Sequence, residues 1–237
     1  MSLDPGVRTF CAGYSPSGLG VEWGKNDIGR IYRLSAFHDK LQSKWSQANV
    51  RHRNRYKMKR AGLRIKKKIR DLVDELHKKF TKWLVENFHT VLLPQFDTQR
   101  MVIKRAQRRI RNKTARAMLT WSHYRFRQRL VNKTREYPGC KVIICDEQYT
   151  SKTCGQCGHL HDKLGPSKVF KCPQCHMEMD RDMNGARNIL LRYLTLLHER
   201  EDKQTKERAG SQDSGPALGL SPLSPSVEWG HAELGQG

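Results

Sequence analysis

No stretch of this 237-residue chain approaches the roughly 18 consecutive apolar residues that a membrane span requires. No charged-then-apolar leader opens it, so nothing reads as a secretory signal. Acids are the other scarcity. Only 23 Asp and Glu face 45 Lys and Arg, for a net charge of +22. Residues 201–237 hold six of the acids and three of the bases, which leaves 42 basic against 17 acidic groups in residues 1–200. An excess of that size needs a polyanion, and a phosphate backbone is the usual one. An anionic membrane surface is the rival, and the missing span counts against membrane residence. Hydrophobic residues make up 37%, low for a globular chain but above the disordered range.

With no export signal, the seven cysteines are expected in a reducing compartment, where thiolates bind metal rather than pair. Four of them form a pattern. Cys154-x-x-Cys157 and Cys172-x-x-Cys175 stand fourteen residues apart, a spacing that lets four thiolates surround one zinc ion. Gly155, Gly158 and Pro173 suit the tight knuckles this requires. Two disulfides or free thiols are the alternatives, and neither accounts for the paired spacing. His159, His161 and His176 flank the knuckles as substitute ligands or as surface residues. Zinc held by four cysteines has no open position, so it folds a module and does no chemistry. Cys11, Cys140 and Cys145 read as small apolar residues near strands.

Short strands and turns are expected over residues 1–24, with Pro5-Gly6 and Ser-Pro-Ser-Gly supplying the turns. A helical region follows over about 35–89, where Ile65, Ile69, Leu72, Leu76, Phe80 and Trp83 recur on one face. "TVLLPQF" and "CKVIICDE" read as strands, on either side of a second helical region over about 103–133. A last helix is expected over 184–198 and a Gly-, Ser- and Pro-rich disordered tail over 201–237. The order describes an α/β layer, with the cysteine module of about 150–179 inserted between the last strand and the last helix.

Three acidic stretches stand near predicted element ends: Asp4, Asp146-Glu147, and Asp180 with Asp182. Carboxylates gathered at one sheet rim can hold hard cations, two of which about 4 Å apart promote phosphodiester hydrolysis. Singly, each acid has a plainer use: Asp4 in a turn, Asp180 or Asp182 as a helix cap, Glu147 as a solvated charge.

"SLDPGVRTF", "TSKTCGQCG", "FKCPQC" and "DRDMNGARNIL", in this order, resemble the RuvC-like nuclease half of the transposon-encoded TnpB/Fanzor proteins, RNA-guided DNA endonucleases related to type V CRISPR effectors. The resemblance runs from Ser2 to about Leu197. It implies a ribonuclease-H-like (RuvC) mixed sheet with a long helical insertion over 35–89 and an inserted four-cysteine zinc ribbon over 150–179. The nuclease core would then comprise residues 1–149 and 180–200. The resemblance also implies one structural zinc and two catalytic magnesium ions. Carried over by position, the first acid is Asp4 and the third is Asp182. Many bacterial members place the second at the end of the strand that is "TVLLPQF" here, where this chain has Pro94, which cannot ligate a metal. In Fanzor-like members the glutamate comes from just ahead of the ribbon, which is the position of Glu147; Asp146 is its competitor.

Residues 51–70 hold eleven Lys and Arg and no acid. Arg51, Arg53, Arg55, Lys57, Lys59 and Arg60, then Arg64, Lys66, Lys67 and Lys68, are expected to contact nucleic-acid phosphates, which positions a strand without reading its sequence. Arg105, Arg108, Arg109 and Arg111 form a second such cluster. Trp45, Tyr56, Trp121 and Tyr124 lie among these charges, placed either to stack on bases or to fill the core. The resemblance implies DNA as a partner and, in a full-length form, guide RNA. "KRAGLRIKKK" also fits a nuclear import signal, so the expected location is nuclear in a eukaryote and cytoplasmic otherwise. Full-length relatives carry a recognition lobe ahead of the first acid. Met1 stands three residues before Asp4, so a fragment with a shortened first strand is expected, and its nuclease activity is an open alternative to nucleic-acid binding alone.

Overall fold

A computed structural model describes residues 1–103, 110–145, 150–162, 164–165 and 167–210, without the side chains of residue 100 and residues 206–210. Chain contacts divide it into one unit over Met1–Leu196 and a second over Leu197–Gly237.

Among the described residues, five strands form the main sheet: β1 (Ser2–Pro5), β2 (Cys11–Tyr14), β3 (Gly20–Trp23), β4 (Thr90–Pro94) and β5 (Lys141–Cys145), in spatial order β3-β2-β1-β4-β5. The first three make an antiparallel meander, while β1–β4 and β4–β5 pair in parallel. Because successive residues of a strand face opposite ways, β1 serves two layers. Leu3 joins a core with Phe10, Phe80, Val91, Leu93, Trp121, Phe126 and Leu130. Ser2, on the other face, donates through Oγ to the Ala186 carbonyl at 2.7 Å. Helices thus cover both faces, which explains the continuously apolar β4, whose Val91, Leu92, Leu93 and Pro94 are all buried.

The core is strongly aromatic. Phe10 lies 5.1 Å from Phe126 edge-on and 4.8 Å from a stacked His123 ring, and Phe80 stacks on both Phe126 and Trp23. Each such pair adds about 0.5–1.5 kcal/mol beyond its buried area.

The helical region expected over 35–89 is two helices, α1 (Asp27–Trp45) and α2 (His52–Asn87). The break at 46–51 has neither Gly nor Pro; instead, where α1 ends, Ser46 Oγ donates to the Gln42 carbonyl at 2.8 Å. α2 packs into the core through Val73, Leu76, Phe80, Leu84 and Val85. Its basic first half rests on α1 at Gly62, where a methyl group would lie 2.7 Å from the Trp45 ring. Of the second helical region, expected over about 103–133, residues 104–109 lie outside the described residues and the rest forms α4 (Asn112–Trp121) and α5 (His123–Thr134), which meet at Ser122 in a left-handed conformation, φ 51°; a short α3 (Thr98–Val102) precedes it.

β6 (Val169–Lys171) and β7 (Glu178–Asp180) form a two-stranded antiparallel pair, and α6 (Arg181–Gly210) follows β7 directly. The expected helix over 184–198 is therefore extended at both ends. Residues 201–210, expected as tail, are helical, since Glu201, Asp202 and Lys203 are ordinary helix residues and Asp202 lies 3.7 Å from His198 one turn earlier. Residues 211–237 lie outside the described residues.

Candidate active site and metal centre

α6 begins beneath β1. Asp180, the last residue of β7, caps it: its Oδ1 accepts from the N–H groups of Asp182 at 2.9 Å and Met183 at 3.2 Å. Of the two aspartates, then, Asp180 is the cap, and the carboxylate of Asp182 is not used for capping. Asp182 is half-buried in the first turn of α6. Burial, with the negative charge of Asp180 next, raises its pKa above the ordinary 3.8, against the pull of Lys168, Arg181 and Arg8.

Asp4, half-buried on β1, points to the same helix. At Gly185 the carboxylate of Asp4 occupies the space a side chain would take: a Cβ there would overlap Oδ2 and lie 3.3 Å from Cγ. The fold thus brings Asp4 and the Asp182-bearing turn of α6 together, although the residues are far apart in the chain. Cys11 pairs with Pro5 and is buried in the aromatic core on the other face of the sheet; burial, then the charge of Asp4, pushes its thiol pKa well above the ordinary value.

Ser2 pairs with Leu92 in the parallel β1–β4 ladder, so Asp4 and Pro94 stand at one level. Pro94 pairs in turn with Cys145, and the Gln95 N–H donates to the Cys145 carbonyl at 3.0 Å. Asp146 and Glu147 follow Cys145 in sequence but lie outside the described residues.

The four knuckle cysteines converge. Their Sγ atoms all lie within 4.8 Å of one another, with Cys154–Cys175 and Cys157–Cys172 each at 3.6 Å. Disulfide sulfurs would be about 2.05 Å apart, whereas four thiolates around zinc at about 2.3 Å stand about 3.8 Å from each other. The set can hold a metal such as zinc. The knuckles share one backbone plan. Cys154 N–H donates to the His159 carbonyl and Gly158 N–H to Cys154; Cys172 N–H donates to the Met177 carbonyl and His176 N–H to Cys172, all within 2.8–3.1 Å. Gly158 and His176 occupy the same left-handed position, φ 76° and 57°. His176 is therefore a turn residue of the knuckle. Neither it nor His159 or His161 belongs to the metal-holding cluster among the described residues.

Four thiols packed this closely cannot all ionise without a cation. Burial works against the Cys172 thiolate, but N–H groups of Cys175 and Gln174 and the adjoining thiols outweigh it and bring its pKa down to about 6. A backbone hydrogen bond at Met177 favours the Cys175 thiolate, but burial and the three adjoining thiols outweigh it and push its pKa up to about 12.

Two buried asparagines tie the cysteine module to the acids. Asn184 Oδ1 accepts from the Gly155 N–H at 3.0 Å and its Nδ2 donates to the Thr153 carbonyl at 2.8 Å. Asn188, one turn on, donates to the carbonyls of Thr150 and Thr153. Both lie in the "DRDMNGARNIL" stretch, where the sequence offers no role for them beyond two asparagines four apart on one helix face.

Arg51, ahead of α2, and Arg53, Lys57, Lys59, Arg60, Arg64, Lys66, Lys67 and Lys68 on it are exposed, as is Arg111 ahead of α4. Arg55 is half-buried and donates to the Gln47 carbonyl at 3.0 Å. Arg105, Arg108 and Arg109 lie outside the described residues. The four candidate stacking rings separate clearly. Trp121 is fully buried and donates to the Val7 carbonyl, and Trp45 is half-buried against Gly62, but Tyr56 and Tyr124 are more than half exposed, each with an arginine over the ring.

A family model described as Cas12f1-like, TNB domain, matches residues 123–189, from the start of α5 through both knuckles into α6. The putative transposase A625R of Paramecium bursaria Chlorella virus 1 is 34% identical over 198 residues, covering 82% of this chain. The chain belongs to the TnpB/Cas12 family. The TnpB-like protein L79 of Acanthamoeba polyphaga mimivirus is 29% identical over 79% of the chain, and the CRISPR-associated endodeoxyribonuclease Cas12f1 of Sulfoacidibacillus thermotolerans 38% identical over 35%. A Cas12f1 chain solved in complex with single-guide RNA and target DNA shares the mixed α/β fold, with a TM-score of 0.53 at 20% identity over 79% of this chain. The chain spans less than half the length of these TnpB/Cas12 relatives: 43% of A625R, 36% of L79 and 48% of the solved chain. In this TnpB/Cas12 member one helix, α6, lies against Asp4 at Gly185 and bonds to the first knuckle through Asn184 and Asn188.

Proposed function

We propose that residues 1–149 and 180–200 form a RuvC-like, ribonuclease-H-like nuclease core interrupted by a zinc ribbon at 150–179, and that the chain is the nuclease part of an RNA-guided DNA endonuclease. The juxtaposition of Asp4 with the capped start of α6 carries this reading, since it sets two carboxylates at one sheet rim while a third residue, Asp180, takes the capping role.

Asp4 and Asp182 would hold magnesium, with Glu147 as the third ligand in preference to Asp146. Magnesium, when bound, supplies a metal-activated water and counter-charge for the leaving oxygen of a phosphodiester. The residues fit a cation: the raised pKa of Asp182 reflects a carboxylate whose charge is poorly solvated and crowded by Asp180. Cys145, level with Pro94 and Asp4, delivers the chain to Asp146-Glu147 from the same strand ends at which Pro94 replaces an acid. The four thiolates would hold one zinc, whose role is to fix the knuckles that Asn184 and Asn188 fasten to α6. The exposed basic half of α2 would track phosphates of DNA or of a guide–target duplex through backbone and shape.

A second reading, binding without cleavage, is favoured by Pro94, which removes one ligand from the rim. Incubation of the zinc-loaded chain with labelled single- and double-stranded DNA, in magnesium or in EDTA, separates the two. Magnesium-dependent products that disappear in Asp182→Asn support the nuclease; salt-sensitive binding with no product supports the second reading.

A further inference from the structure

One cavity has no part in the sites above. It opens between the segment after β4 and the start of α5, measures about 430 Å³, and is walled by Gln95, Phe96, Asp97, Gln99, Tyr124 and Arg127. A smaller pocket shares Phe96, Tyr124 and Arg127 with it and reaches Pro5 and Pro94. Pro5 is the neighbour of Asp4 in β1, so the shared wall leads to the strand ends that carry the first acid.

We propose that this cavity is a subsite for one unpaired nucleobase, which stacks on Tyr124 as the strand passes the acid rim. The tyrosine is 58% exposed, although its helix neighbours His123 and Phe126 are buried in the core. Its ring is held in place: the Gln128 amide donates to the hydroxyl at 3.0 Å, and the Arg127 guanidinium lies 5.1 Å from the ring centre. The guanidinium covers one face of the ring, and the exposure of the tyrosine leaves the other face for a base to stack on while arginine meets the phosphate. Gln95, Gln99 and Asp97 place donors and acceptors around the mouth, as a base edge requires and an apolar peptide side chain does not. The base must be unpaired, since within a duplex both faces are already covered. The strand's presence at this rim rests on the nuclease reading, but stacking itself is read from binding alone.

The test measures affinity in EDTA, with zinc-loaded full chain, for a single-stranded DNA oligonucleotide, its RNA counterpart and a DNA duplex. Tyr124→Leu is expected to weaken binding of an unpaired strand by about 5- to 150-fold, while Tyr124→Phe keeps it and duplex affinity is unchanged. Arg127→Gln is expected to lower the slope of log affinity against log salt by about one phosphate contact. Thermal melting of Tyr124→Leu confirms that the fold is intact. Equal losses on single strand and duplex, equal effects of Phe and Leu, or no effect of either would overturn the assignment. The outcome is independent of cleavage, so an inactive chain that still shows the single-strand effect would sink the nuclease reading and keep the subsite.

Discussion

Gly185 on α6 lies directly against the carboxylate of Asp4 on β1, and the space that a β-carbon would fill is occupied by Asp4 Oδ2. A glycine inside a helix ordinarily costs about 0.5–1 kcal/mol relative to alanine. Here the contact reverses that sign. Gly185→Ala is expected to destabilise the chain by about 1–3 kcal/mol through overpacking, and to weaken divalent-metal binding while zinc content stays the same. Chemical denaturation and metal analysis check it. A stabilised variant with unchanged metal binding would show that Asp4 does not need that space.

Removal of zinc should loosen more than the knuckles. Because Asn184 and Asn188 bond to the carbonyls and N–H groups of Thr150, Thr153 and Gly155, the first turns of α6 depend on the first knuckle. The wild-type chain is expected to carry one zinc by elemental analysis and four thiols released together by chelation. Cys175→Ser should lose the zinc and lower the melting temperature. Metal-free protein with two knuckle disulfides would contradict this.

The knuckle turns offer a subtler check. His176 holds the left-handed position that Gly158 holds in the first knuckle, and a side chain there costs about 1–2 kcal/mol. His176→Gly is expected to keep zinc and to be neutral or more stable by up to about 1 kcal/mol, the unfolded-state entropy of glycine offsetting part of the gain. Loss of zinc from this variant would instead make His176 a ligand.

Acid lability should come from the core. Burial is the main force that lowers His77 from 6.5 to about 4 and His123 to about 3, each with one ring nitrogen bonded to a backbone carbonyl, of Trp121 and Gly6. Folded pKa values below the free value mean that the unfolded chain takes up these protons first. Their contribution is full above pH 6.5 and is lost as pH falls toward 4 and 3. Each histidine adds about 1.4 kcal/mol per pH unit to the slope in that window. Urea titrations between pH 6 and 4.5 should show a slope one proton shallower in His77→Gln, whatever its absolute stability; an unchanged slope would mean that His77 is already charged in the fold.

Much of this was legible in local pattern. The knuckle spacing identified the cysteine quartet, and alternating or continuous apolar runs located β1, β4 and β5. What was not legible depended on distant contacts. The break between α1 and α2 has no Gly or Pro to announce it, and the turn at Ser122 has a left-handed residue that is not glycine. Gly185 sits in an acidic motif, but its reason for being glycine is Asp4, at the other end of the chain. Trp121 and Tyr124 look alike among arginines, and only packing buries one and exposes the other. The helical content of 201–210 was hidden by the Gly-, Ser- and Pro-rich stretch that follows.

Asp4, Glu147 and Asp182 are proposed to share a divalent cation. Manganese titration followed by electron paramagnetic resonance, on zinc-loaded chain, tests it without requiring turnover. Wild type is expected to bind manganese that magnesium displaces, and Asp4→Asn, Glu147→Gln and Asp182→Asn are each expected to lose that binding, with Asp146→Asn retaining it. Equal manganese binding by wild type and all three acid variants would contradict the account.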